Sequence, residues 1–388
     1  MRSRSVTCRY ALFQGSYWAS SVLVYGYTRV FLMNYGYSAT TAGIVMAIGS
    51  LAAAFLQPLL GTVMHRKSIS LRTVLFSITA LAILCSLIML APLPAPAIVA
   101  FFTLLTVMTN SAMGFLNASG FALQKAGETL NFSAARAVGS VAYAAMSKLM
   151  SVLSSSGGML ACHISCAAAL AAFALTLLPK HDREQEQTEA GNGNDSGFFS
   201  RNRNYILMLV GQTLIFFMHH IITGFLFDIT TDLCRGTESQ MGTAISLGAF
   251  AEMPGMLLAG WFMKKRSPAR LLQVSAVMYC VRTGVFLLFP SMPMLYALEI
   301  MQMVTFSFLI PVFPVFVEKY VSPGDRLRCQ TLNTGTSAAA GFLGFLLGGM
   351  LVDACGIFFT LRLAFGVAVP GACLLFIFAG KAARADRL

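Results

Sequence analysis

The sequence predicts an all-α integral membrane protein with twelve transmembrane helices, arranged as two pseudo-symmetric six-helix bundles. Three observations carry this. Of 388 residues, 57% are hydrophobic and 11% charged, with a mean hydropathy of +0.72, whereas soluble domains are roughly 25% charged. Apolar runs recur at close to the roughly twenty residues a spanning helix needs, without the short alternating strands of a barrel. The basic residues gather in every second loop.

The runs lie at 10–32, 40–63, 72–91, 97–122, 133–153, 158–178, 204–227, 240–263, 269–289, 293–317, 330–351 and 357–379. Between them stand Arg2, Arg4 and Arg9; Arg66, Lys67 and Arg72; Lys180 to Arg203; Lys264, Lys265, Arg266 and Arg270; Lys319, Arg326 and Arg328; and Lys381 to Arg387. The opposite loops hold only Arg235 and Arg362. By the positive-inside rule both termini and the central loop are expected in the cytoplasm of a multi-pass inner (plasma) membrane protein. The net charge of +12 thus follows from topology, and no nucleic-acid partner is expected. The first run is too long for a signal peptide and lacks a clear cleavage site, so it is read as helix 1.

Helix 1 carries Tyr17, Trp18, Tyr25 and Tyr27, and then Arg29 near its outer end. Tyr17 and Trp18 are candidates for stacking on a solute ring, with a membrane-interface role as the alternative. Arg29 either snorkels to the interface or lines a cavity. Helix 2 runs into Gln57-Pro58-Leu59-Leu60-Gly61-Thr62-Val63-Met64-His65-Arg66-Lys67, and a shift of 199 residues superposes Gly43, Gly49 and Gly61 on Gly242, Gly248 and Gly260. That repetition predicts a duplicated six-helix unit. Residues 1–178 and 204–388 form the two units, joined over 179–203 by an acidic and Gly/Asn-rich linker that cannot form a buried element. Such a design holds its substrate between the halves near the midplane.

Nine cysteines are scattered, without a Cys-x-x-Cys pair. Cys162, His163 and Cys166 share one helix but make an incomplete zinc set and are read as packing. No metal and no cofactor is expected. Helix 7 brings His219 and His220, imidazoles that titrate near neutral pH or are satisfied within the bundle. Of fifteen acids, only Glu252 in helix 8 and Glu299 in helix 10 lie well inside apolar runs, with Asp228 at the edge of helix 7. A charge at that depth costs about 3 kcal/mol on insertion scales and normally faces a cavity or a partner. Arg282 falls at matching depth on helix 9 at about 1.5 Å per residue. Glu252, or else Glu299, is therefore read as a proton-carrying acid with Arg282 as its counter-ion, against a static pair that sets helix register. Pro254 beside Glu252, and Pro311 and Pro314 in helix 10, are expected to kink their helices. Arg136 in helix 5 is read as a substrate anchor or a headgroup contact. Gly341, Gly344, Gly348 and Gly349 in helix 11 are read as packing.

These residues resemble the major facilitator superfamily, and within it the lactose permease group of sugar, nucleoside and phenylpropionate proton symporters. Gly61 to Arg72 resembles the family's loop between helices 2 and 3, with His65 where an acid usually stands. The resemblance implies a gating loop at Gly61, His65, Arg66 and Lys67, echoed by Gly260 and Lys264. Asn117-Ala118-Ser119-Gly120 and Phe132 to Ser140 are similar to the permease's sugar-binding stretch. Arg136 then matches its arginine, Tyr143 stands at its stacking tryptophan and Gln124 at its acid. Glu252 and Arg282 match the helix 8 acid and helix 9 base, while Glu299, Gln302 and Thr305 replace the helix 10 triad. The substrate set implied is Asn117, Gln124, Arg136, Tyr143 and Gln302, beside Tyr17 and Trp18. The resemblance implies a monomeric proton symporter importing a sugar, glycoside or nucleoside. A proton-coupled efflux antiporter is the alternative, followed by a membrane receptor. An enzyme is not expected, because no nucleotide loop, metal set or nucleophile with its base is present.

Overall fold

The computed structural model describes residues 2–125, 130, 132–176 and 197–385, and every regular element among them is a helix. Among the described residues, ten helices are long and apolar enough to cross a bilayer. One of these, Pro323–Arg384, has 62 residues, or about 90 Å of helix for a hydrocarbon core of about 30 Å. Gly356, at φ +77°, folds it into two arms. Gly158, at φ +70°, does the same inside Phe132–Thr176. Both turns need the left-handed region that glycine enters without cost, and they lie 356 − 158 = 198 residues apart, within one of the sequence repeat. At the N-terminal side Arg2–Ser20, Val22–Gly26 and Thr28–Met33 follow one another as a further helical stretch, so the described residues accommodate the twelve crossings that the sequence predicts.

These are α1 (the three pieces just given), α2 (Ala39–Lys67), α3 (Leu71–Ile88), α4 (Ala95–Lys125), α5 (Ala134–Ser154), α6 (Gly158–Thr176), α7 (Arg203–Gly224), α8 (Glu238–Met263), α9 (Pro268–Leu288), α10 (Met292–Tyr320), and α11 and α12, the arms of Arg326–Ala385. Pro254 sits inside a single α8, while α10 is broken by a 3-10 turn at Met301–Val304. Beyond α7 the chain continues through Leu226–Asp228 into a π turn at Ile229–Leu233. The apolar exteriors, such as Phe55, Leu257 and Leu288, face outward as lipid-facing helices require.

The two halves meet along α2 with α11 and α5 with α8. Small residues set both contacts. A Cβ on Gly43 would strike the Phe345 carbonyl, and one on Gly242 would strike Ser151. These glycines are partners under the 199-residue shift, so the repeat places equivalent close approaches on the two sides of the bundle.

We call the end that carries the chain termini and the turns near residues 68, 265 and 322 the termini end, and its opposite the far end. Of the expected 179–203 linker, 179–196 lies outside the described residues, and its last part is not an unburied linker: Phe198–Arg201 is a helical turn with Phe198 and Asn202 buried. There Asp325 in the α10–α11 turn accepts from Arg201 at 2.7 and 3.0 Å, from Asn202 at 2.7 Å and from Ser322 at 3.1 Å. The Arg201 bonds outweigh the effect of burial and hold the Asp325 carboxyl well below the usual carboxylate range.

Candidate functional site

The first half contributes a wall built from α1 and α5. Trp18 lies against Gly139, where a Cβ would sit 2.5 Å from the indole, so that glycine lets the ring rest on the α5 backbone. One turn earlier on α1, Gln14 accepts the indole N–H at 3.1 Å and donates to Tyr10 at 2.9 Å; the Tyr10 hydroxyl donates to the Leu116 carbonyl at 3.0 Å. The ring is therefore fixed in plane. Arg136 lies over it with Cζ 4.1 Å from the centroid, and Tyr143, two turns along α5, meets its edge at 6.0 Å. Tyr17, expected as a second stacking ring, is only 1% exposed. Its hydroxyl donates to Thr109 at 2.8 Å, so it belongs to the α1–α4 packing. Adjacent helical residues point about 100° apart, and only one of the pair can face the centre.

Along α5 Arg136 donates to Ser140 at 3.2 Å, and across the interface Ser140 donates to Glu252 at 3.5 Å. This chain ties a base of the first half to the buried acid of the second. The expected Glu252–Arg282 contact is replaced by it, and no ion pair joins those two residues. Matching depth did not mean matching direction. One turn along α8, Gly248 abuts the carboxylate of Glu299 and the amide of Gln302, each within 3 Å of where its Cβ would be. Gln302 donates to Glu299 Oε2, and Glu299 Oε1 is buried with no partner among the described residues.

Arg282 is 2% exposed and turns toward α10 and α7. It donates to the Leu298 carbonyl at 3.4 Å and Thr305 Oγ1 at 3.3 Å, around the 3-10 break, and lies 3.4 Å from His219 Nδ1. A guanidinium can only donate, so Nδ1 accepts and the His219 proton is on Nε2. His219 also stacks on Phe306 at 4.8 Å. His220 lies edge-on to Phe345 of α11 at 5.0 Å and, on its other side, 5.7 Å from the His219 ring.

Asn117 is half-buried on α4. The side chains of Gln124 and His65 lie outside the described residues. Arg66, Lys67 and Lys264 are exposed at the termini end, and nothing lies within 4 Å of a Cβ built on Gly61 or Gly260. Cys162, His163 and Cys166 each contact a backbone carbonyl, those of Met150, Ser86 and Ser20.

Sequence reasoning missed Gln14, the bridging role of Ser140, and a clasp at the far end. Arg29 does not snorkel: it grips Asp228 through two nitrogens at 2.9 and 3.1 Å and reaches the Tyr37 carbonyl at 3.5 Å. Asp353 accepts from the Ala39 and Thr40 amides at 3.0 and 2.7 Å, across the interface. One signal was available, since Arg29 and Asp228 are 199 residues apart, the repeat itself.

The fold and the central polar site between two sets of helices define a transporter of the major facilitator type. The chain belongs to the MFS_1-like family, whose model matches residues 9–363, and members of that family are transporters rather than enzymes. A solved point mutant of the nucleoside transporter NupG is 18% identical, with a TM-score of 0.78 over 95% of this chain and 98% of that one. Unmutated NupG is 20% identical, with a TM-score of 0.69 over 100% and 98%. A bacterial homologue of the human lysosomal transporter Spinster, inward-facing, is 13% identical, with a TM-score of 0.64 over 100% and 97%. No curated protein sequence matches the chain.

Proposed function

We propose that this protein is a proton-coupled symporter that imports a small polar solute, a nucleoside ahead of a sugar or glycoside, by alternating access across the plasma membrane. The observation that carries it is the Arg136–Ser140–Glu252 chain, a base and an acid from opposite halves held at the centre of the bundle beside an aromatic platform. A carboxyl in a dry site keeps its proton and gives it up when a guanidinium closes on it. Arg136 and Glu252 belong to different halves, so rocking of the halves changes their separation and couples proton release to the exposed side. In this reading Arg136 takes the counter-ion role that matched depth had given to Arg282. Glu299, Gln302 and Arg282 form the second polar layer, and His219 is tied to it through Arg282. The nucleoside preference draws on the likeness to NupG. The basic loops put the termini end in the cytoplasm, and the protein acts as a monomer.

Liposome assays test the coupling. Glu252→Gln should abolish uptake driven by a pH gradient and leave solute exchange measurable. Full pH-driven accumulation by that variant would remove Glu252 from the mechanism.

A further inference from the structure

Trp18 stands out in the central site because its surroundings immobilise it while one face is held by a side chain that can leave. The indole nitrogen is pinned through Gln14 and Tyr10, and the ring edge rests on Gly139. Tyr17, Tyr25 and Tyr143 surround it at centroid distances of 5.4, 6.1 and 6.0 Å, so what remains is a flat slot. A planar group already occupies the slot: the Arg136 guanidinium at 4.1 Å. Arg136 is half-buried and, among the described residues, makes one hydrogen bond, 3.2 Å to Ser140. Cation–π contacts of this kind are modest, and a flat ring offers the indole the same stacking over a larger area.

We propose that the Trp18 indole is the platform for a planar heteroaromatic ring of the solute, and that the ring takes this face from Arg136 and sends the guanidinium toward Glu252. This deepens the reading of the central site as a solute site and rests on it. It assigns the base of a nucleoside to α1 of the first half. It also gives solute binding a direct route to the Arg136–Glu252 pair, because the group displaced by the ring is the one already linked to Glu252 through Ser140.

The chain has two tryptophans. Trp261 is 48% exposed on α8, with Lys265 over its ring, so Trp261→Phe leaves the central site intact and makes emission report Trp18 alone. Full-length protein with that background is titrated in liposomes with uridine, and with galactose as the ring-free control. Saturable quenching by uridine only is the expected result. Trp18→Leu should raise the KM for uridine about tenfold, the usual cost of one lost base-stacking contact, and Trp18→Phe should recover most of it. If uridine is accumulated while Trp18→Leu keeps its KM within about twofold, the platform is wrong and the transport reading stands. If uridine is neither bound nor moved, the platform falls together with the nucleoside preference, and only the absence of any solute accumulation, galactose included, would bring down the transport reading as well. Should Trp18→Leu fail to fold, the titration of native Trp18 decides alone, and equal quenching by galactose overturns the assignment to a planar ring.

Discussion

The two ends of the bundle are held in different ways. At the far end the halves are clasped: Asp228 grips Arg29, Asp353 caps the first amides of α2, and a Cβ on Gly349 would lie 2.5 Å from the Ala39 carbonyl. Toward the termini end, hydrogen bonds between described residues of opposite halves stop at Ser140 and Glu252. Beyond that level, among the described residues, a Cβ placed on Gly61, Gly260 or Gly335 meets no other element within 4 Å. The strong contact at this end, Asp325 with Arg201, is internal to the second half. The described contacts between the halves are therefore concentrated at the far end and thin out toward the termini end. Both clasping carboxylates come from the second half, so the first half can leave them as a unit, and an Arg–Asp pair at positions related by the repeat lies where the halves meet.

The largest effect should come from breaking the buried clasp. Arg29 and Asp228 side chains are 13% and 6% exposed, and removing one partner of such a pair typically costs about 3–5 kcal/mol because the other charge is stranded. Asp228→Ala should lower the thermal midpoint markedly and cut initial uptake at least about tenfold. The double variant Arg29→Ala/Asp228→Ala should recover much of the stability but not the uptake, because the stranded charge is gone while the far end still lacks its clasp. If the single and double variants are equally stable, the pair is not what holds the far end.

A milder comparison uses glycines. Gly349→Val inserts atoms into a helix crossing that has no space and should cost about 1–3 kcal/mol. Gly61→Ala and Gly260→Ala meet no other described element in this conformation and should leave stability unchanged or raise it by up to about 1 kcal/mol, as alanine favours helix. If those two variants nonetheless slow turnover, the termini end must close onto these glycines in another conformation, which is the gating role proposed for them. Equal destabilisation at both ends would erase the distinction.

Depth along the membrane was legible in the sequence; direction around each helix was not. Apolar length placed α2 to α12 within a few residues, and the repeat paired Gly43 with Gly242, which the structure puts at close approaches on the two sides of the bundle. Glu252 and Arg282 were expected to face each other, yet they find different partners because α8 is apolar on nearly every face and carries no stripe to orient it. Tyr17 and Trp18 differ by one position and by a full change of environment. Arg29 was treated alone because its partner lies in the other half, and only a pairing of repeat-related positions would have joined it to Asp228.

The smallest predicted effect tests whether the termini end is held within a half by charge. Arg201 is half-exposed, so its bond to Asp325 is worth less than about 1 kcal/mol. Asp325 has a depressed folded pKa, so its contribution is fully present above the unfolded value of about 3.9 and is lost as pH falls toward the folded one. Asp325→Asn should therefore melt slightly below wild type at pH 6 to 7, and the gap should narrow steadily below about pH 4. Uptake at neutral pH should change little, because the contact does not cross between halves. A gap independent of pH would assign the contact to packing of the Asn202 and Ser322 bonds, and a large loss of uptake would mean that the start of α7 moves against the α10–α11 turn during transport.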